Sequence, residues 1–176
     1  AKATKGFQDL GVKPGVHVAI FLPNTPQFVI SYFAILQAGG TVVNISPLDA
    51  EREIVHKIND SEAQVVVTIG LNALYGTLAK ALPKMPNLKT VVVTTLQEAL
   101  PFPKSFLFPL VKGKEIAKVP YGDGKHVQFK SLLQTDGNYT AHDIGNLEDS
   151  LAVIQYTGGT TGLPKGVCLS HRNLVM

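Results

Sequence analysis

Between residues 16 and 94, four short runs (HVAIFLPN, TVVNIS, AQVVVTIG and LKTVVVTT) are apolar and β-branched with little alternation. A strand with one wet face alternates apolar with polar residues, so continuous runs require cover on both faces. The segments between these runs have helical character. Thr25-Pro26 opens the first, with Thr25 as N-cap and Pro26 at N1, where its missing N–H costs nothing. FVISYFAILQA follows, apolar nearly all round up to Gly39-Gly40, which predicts deep burial. A second helix is expected over about residues 48–60. Ile54, Val55 and Ile58 form its buried stripe, and Asp49, Glu51, Arg52, Glu53 and Lys57 its wet side. LNALYGTLAKAL is the third, ended by Pro83 and Pro86. Strand and helix in alternation define an α/β fold, a mainly parallel sheet with helices on both faces.

This regular part, residues 1–95, opens with a helix in AKATKGFQDLG closed by Gly11. Residues 96–146 break the pattern with Pro101, Pro103, Pro109, Pro120 and the turns YGDGK and DGN, leaving one short expected helix, QFKSLLQT. Residues 147–176 return to order: strand LAVIQYT, a Gly/Thr loop, strand VCLS, and a helix start capped by Ser170. The chain opens inside one helix and stops on the first turn of another, so the expectation is an incomplete N-terminal domain of a longer protein. Such a piece is expected to expose sheet edge or apolar surface and to self-associate.

Composition excludes several classes. An apolar fraction of 45% and a charged fraction of 16% rule out a disordered chain. The single cysteine, Cys168, forms no intramolecular disulfide, which fits a reducing cytoplasm. There is no apolar run of spanning length and no secretory signal pattern. The net charge is only +3, and six lysines against two acids within residues 101–130 make a local basic segment. No nucleic-acid partner is expected. In that segment three phenylalanines of residues 101–118 lie among lysines, as in a peripheral membrane contact, although the prolines deny it a long amphipathic helix. A loop packing its own phenylalanines is the alternative reading.

The densest chemistry lies in YTGGTTGLPKGV. Glycines let backbone N–H groups approach phosphate oxygens, threonine hydroxyls add donors, and Lys165 supplies a compact positive charge. Pro164 stands where a Walker A loop needs glycine before its lysine. With Pro164 and the β-prone VCL following, strand–loop–strand is the expected geometry, with no helix N-terminus behind the phosphate. A glycine-rich turn with threonines for strand propensity is the plainer alternative.

Residues 157–166, TGGTTGLPKG, meet every position of [ST]-[SG]-G-[ST]-T-G-x-P-K-G. This string resembles the signature loop of the adenylate-forming superfamily, which includes acyl-CoA synthetases, firefly luciferase and peptide-synthetase adenylation domains. LGVKPGVHVAIFLPNTPQFVISYFAILQAGGTVVNISP resembles the family's early segment, departing from it at Val16, Gln37 and Gly40, and SHRNL also fits. The double-glycine loop and LPFPKSFLFPLVKGKEIAKVPY look most similar to bacterial long-chain fatty acid–CoA ligases.

The resemblance implies an AMP-binding, acyl-CoA synthetase-like fold. It also implies an enzyme that joins a fatty acid to ATP with Mg²⁺, releases pyrophosphate and passes the acyl group to coenzyme A. By the same resemblance Thr157, Gly158, Gly159, Thr160, Thr161, Gly162 and Lys165 would cradle the β- and γ-phosphates. Lys165 would stabilise the charge on departing pyrophosphate, and Tyr156 would orient the loop. The sequence has no Y-G-x-T-E or Y-x-T-G-D segment, so this chain alone is expected not to form acyl-adenylate, and residues of the magnesium, adenine and coenzyme A sites are not identified in it. An aryl-CoA ligase, an adenylation domain, and a non-catalytic nucleotide- or membrane-binding module stay open as alternatives. The expected location is the cytoplasm, peripheral at the membrane if the 101–118 contact exists.

Other reactive residue types draw plainer expectations. Cys168, between apolar neighbours, is expected to be buried and inert. His17, His56, His126 and His142 lack metal-ligand spacing, and His171 is expected to help start its helix.

Overall fold

The computed structural model describes residues 1–99, 113–158 and 163–176. The first half runs α1 (Lys2–Asp9), β1 (His17–Phe21), α2 (Pro26–Gln37), β2 (Thr41–Asn44), α3 (Glu51–Asp60), β3 (Val65–Ile69), α4 (Tyr75–Ala81) and β4 (Thr90–Thr94). The second runs β5 (His126–Gln128), α5 (Phe129–Leu132), β6 (Leu151–Thr157), β7 (Lys165–Ser170) and α6 (His171–Val175). Seven strands form one sheet in the order β5-β4-β3-β1-β2-β6-β7. Every neighbouring pair is parallel except β6 and β7, which form an antiparallel hairpin.

The order explains the two layers. The crossover β1–α2–β2 travels one way across the sheet, and β2–α3–β3 and β3–α4–β4 travel the other. Crossovers of one hand that reverse direction must lie on opposite faces. Accordingly Phe7 of α1, Ile35 of α2 and Phe129 of α5 pack with Val18, Ile20, Val42 and Val67 on one face. Ile54 and Ile58 of α3 and Leu78 of α4 pack with Ala19, Val43, Val66 and Val91 on the other. Successive strand residues thus feed alternate cores, and the uninterrupted apolar runs are satisfied on both sides. The expected α/β fold, a mainly parallel sheet with helices on both faces, is the observed one.

Several local expectations need correction. Helix α2 is not buried all round. Its buried residues, Gln27, Ser31, Ala34 and Ile35, form one stripe, while Val29, Ile30 and Phe33 are 53%, 40% and 60% exposed. A helix lying on a sheet touches it along one stripe only, so composition overstated the contact. Thr25 has the extended backbone of an N-cap, yet its hydroxyl caps nothing. Helix α3 begins at Glu51, not near 48, because Ser46 to Asp49 close a turn of their own. Asp49 Oδ2 accepts from Ser46 N at 3.1 Å and Asp49 N donates to Ser46 O at 3.0 Å. Leu48, at the tip of that turn, is 92% exposed. Glu53 then reaches back to accept from Ala50 N at 2.8 Å, satisfying a backbone donor at the helix start.

Strand β5 lies where only irregular chain and a short helix were expected. It is three residues long and pairs with β4, anchored by His126. That ring lies 2.6 Å from Asp123 Oδ2 through Nδ1 and 3.0 Å from Tyr75 Oη through Nε2. The backbone N–H of His126, then that of Lys125 and the His126 ring, hydrogen-bond the Asp123 carboxyl and hold it down at about 2. The expected helix at QFKSLLQT shrinks to α5, and Gly6 of α1 packs against it. A Cβ on Gly6 would lie 2.7 Å from Leu132 Cα and O.

Most of the segment considered for membrane contact, 101–112 of 101–118, lies outside the described residues. Its far end is tied to the β3–α4 connection, with Asn72 N donating to Glu115 O at 2.8 Å and Ala117 N to Gly70 O at 3.0 Å. Among the described residues no helix is long and apolar enough to cross a membrane.

Candidate phosphate-binding site

The Gly/Thr loop leaves the carboxyl end of β6, which runs parallel to β2, and returns as β7. It therefore sits at the carboxyl edge of the sheet beside the β2–α3 connection, the edge at which ligands of open α/β sheets bind. The expected strand–loop–strand geometry is the one observed, with Thr157 and Lys165 paired at the mouth of the hairpin. Thr157, Gly158 and Lys165 are exposed. Gly159, Thr160, Thr161 and Gly162 lie outside the described residues.

Alternation along β6 assigns its side chains to faces. Val153 belongs to the α1/α2 core and Ile154 and Tyr156 to the α3/α4 core, so Gln155 and Thr157 share the α2 side. Lys165, opposite Thr157, joins them. Asn44, last residue of β2, is on the same side and opposite Gln155, donating Nδ2 to Gln155 Oε1 at 2.8 Å. Asn44 Oδ1 is buried without a partner among the described residues. Sequence reading passed over this pair; an asparagine ending an otherwise valine-rich strand was the available signal.

The opposite side of the hairpin is bound to α3. Tyr156 Oη donates to Asp60 Oδ2 at 2.6 Å, with Lys57 O a second acceptor at 3.1 Å. Burial, then the bond to Asp60, pushes the Tyr156 phenol well above its ordinary range. Lys57 is buried and meets Asp49 Oδ2 at 2.5 Å, its Nζ 5.7 Å from the centre of the Tyr156 ring. The wet helix face expected for Lys57 and Asp49 is not what the structure shows. Both are largely enclosed, because the turn before α3 folds Asp49 back over the helix.

Gly166 pairs with Tyr156 across the hairpin. A Cβ there would stand 2.9 Å from Ile154 Cγ2 and 3.3 Å from Tyr156 Cζ, so the ring occupies the space a side chain would need. Tyr156 thus packs on Gly166 of the loop stem and bonds α3.

Cys168 is exposed, not buried. It lies on β7, the edge strand of the sheet among the described residues. His171 starts α6 as expected: its N–H donates to Ser150 O at 3.0 Å, while Ser170 Oγ accepts from Asn173 N at 3.4 Å. Burial holds its imidazole below the ordinary range. With His17 and His142 it lines a cavity of about 280 Å³ at the other end of the strands. Among the described residues no three His, Cys, Asp or Glu side chains are placed to hold a metal ion. The glycine backbone, hydroxyl and ammonium groups of the loop do suit phosphate oxygens.

The geometry describes a mainly parallel α/β sheet with a hairpin at its carboxyl edge that bears Gly158, Lys165 and Gly166. The chain belongs to the AMP-binding enzyme family, whose profile matches residues 1–176. It is similar to a long-chain-fatty-acid–CoA ligase of Bacillus subtilis, 36% identical over 174 residues, covering 94% of this chain and 29% of that protein. It is also similar to 4-coumarate–CoA ligase 1 of Solanum tuberosum, 27% identical over 174 residues, covering 99% of this chain and 26% of that protein. Among solved structures, a long-chain-fatty-acid-CoA ligase from Archaeoglobus fulgidus superposes with a TM-score of 0.71 at 28% identity, covering 98% of this chain and 28% of that one. The chain thus spans under a third of the length of these relatives.

Proposed function

We propose that this chain is the phosphate-gripping part of an AMP-forming ligase that activates a long-chain fatty acid. In that reaction the carboxylate attacks the α-phosphorus of ATP, the bond to the bridging oxygen breaks, and pyrophosphate leaves with the electron pair. The coenzyme A thiol, losing its proton, then attacks the acyl carbon of the adenylate; the S–C bond forms, the acyl C–O bond breaks, and AMP leaves with the electron pair. Mg²⁺ bound with the nucleotide would supply screening of its phosphate charge, and no cluster of three His, Cys, Asp or Glu among the described residues is assigned to hold it. The groups this chain contributes are the N–H donors of the loop, the hydroxyls of Thr157, Thr160 and Thr161, and the ammonium of Lys165. They oppose the charge that gathers on the departing pyrophosphate, which is electrostatic rather than acid–base catalysis.

The observation that carries this reading is Lys165 at the mouth of the glycine hairpin: exposed, at the carboxyl edge, and with no acidic partner among the described residues. A cation left unpaired beside a glycine loop is free to meet an anion. The long-chain fatty acid is favoured over an aryl acid by the 36% identity to the bacterial ligase against 27% to the plant enzyme.

Lys165→Ala, made where this segment is joined to the remaining two thirds that its relatives carry, is expected to slow fatty-acid-dependent ATP–pyrophosphate exchange by roughly a hundredfold. The melting temperature should be unchanged. Parallel losses of rate and stability would make Lys165 a structural residue. The 176-residue chain by itself is proposed to be inactive in the same exchange assay, and measurable turnover by it would overturn that.

A further inference from the structure

Lys165 has no side-chain partner among the described residues, so whatever aims it must act through its backbone. Both carbonyls that flank its Cα are held. Thr157 Oγ1 donates to Lys165 O at 3.4 Å, a long bond within the hairpin. The preceding carbonyl, Pro164 O, lies 2.9 Å from His56 Nε2 on α3. A carbonyl only accepts, so Nε2 carries the proton and donates. The same imidazole packs edge-on against Tyr156, ring centres 6.2 Å apart at 72°. One half-buried side chain therefore touches the strand that enters the loop and the residue that leaves it.

We propose that His56 is a positioning residue for the phosphate loop, fixing the peptide that carries Lys165. The inference rests on the phosphate-binding reading given above. The helix behind His56 is a rigid support. Ile54 and Ile58 are wholly buried, Lys57 is locked to Asp49, and Asp60 receives the Tyr156 hydroxyl. Proline at 164 has no N–H, so its carbonyl is the one backbone hydrogen-bonding group that residue offers. Electrostatic stabilisation depends on donors set in place before charge develops. A loop that must order itself on each encounter binds anions more weakly by the share of time it is misplaced.

The test compares wild type with His56→Leu, which removes the donor at similar size, and His56→Gln, which keeps an N–H able to reach Pro164 O. Each is made in the 176-residue chain. Three quantities are read: the melting temperature, hydrogen exchange of the amides of Gly158, Lys165 and Gly166, and affinity for pyrophosphate by calorimetric titration. His56→Leu is expected to speed exchange of these amides and to weaken pyrophosphate binding by roughly fivefold each, the worth of one net hydrogen bond. His56→Gln is expected to restore both to within about twofold, as conservative rescue of the same bond. A purely structural histidine would instead lower the melting temperature and speed exchange throughout α3 and β6, with no recovery in the glutamine variant. That result would overturn the proposal, as would loop exchange in His56→Leu equal to wild type. Wild type and Lys165→Ala binding pyrophosphate equally, or neither binding it, would instead sink the phosphate reading on which the proposal rests.

Discussion

Gly166 offers a test in which two physical effects predict opposite orders. It sits in strand β7, where a glycine is disfavoured because it gives up more chain entropy on folding than other residues. By that argument alone, Gly166→Ala should stabilise by about 0.5–1 kcal/mol and Gly166→Val by more, since valine suits strands. The surroundings argue the other way. An added Cβ falls 2.9 Å from Ile154 Cγ2 and 3.3 Å from Tyr156 Cζ. The ring cannot swing aside freely, because its hydroxyl is tied to Asp60 and to Lys57 O. Forcing extra carbon into a packed site costs about 1–3 kcal/mol. Alanine should therefore end near 1 kcal/mol less stable, and valine, with two further methyl groups in the same space, near 2–3 kcal/mol less stable. For a chain of this size each kcal/mol lowers the melting temperature by about 2–4 °C. Calorimetry on wild type and both variants reads the order directly. A rising series from glycine to alanine to valine would refute the steric argument and leave strand propensity as the governing effect.

Further predictions concern the same clamp and the helix layer. Tyr156→Phe should cost about 1 kcal/mol in denaturant unfolding, the worth of its hydroxyl bonds. The phenol's folded-state pKa is raised above its unfolded value near 10, so its contribution is complete below that pH and is lost as pH rises above it. The alkaline fall in stability should therefore be shallower in Tyr156→Phe, and an unchanged slope would refute it. Gly6→Ala should destabilise by about 1–2 kcal/mol in spite of alanine's better helix propensity, because Leu132 backbone stands where the methyl group would go. A higher melting temperature in that variant would show that α1 can retreat from α5 at no cost.

Much of this architecture was legible from local pattern. VVVTI and TVVVT are buried on both faces of the sheet, and unbroken apolar runs cannot be accommodated otherwise. Ser170 caps α6 from within four residues, so its role needed no tertiary knowledge. What local pattern missed has a common cause. Strand β5 is too short to announce itself and forms because Tyr75, 51 positions away, meets His126. Phe33 reads as core by composition and is exposed because a helix on a sheet buries one stripe.

The candidate site divides along the same line. Residues 157–166 carry the chemistry of an anion-binding loop in their own order of glycine, threonine, proline and lysine, and hairpin geometry follows from the strands around them. Only the tertiary structure brings α3 against that hairpin. Tyr156 meets Asp60 across 96 positions and His56 meets Pro164 across 108. Contacts of that separation depend on strand order, and strand order is decided by how crossovers pack on a twisted sheet, not by any stretch of residues read alone. The sequence by itself determined the order of glycine, threonine, proline and lysine on which the phosphate proposal rests. The fold decided what holds the loop.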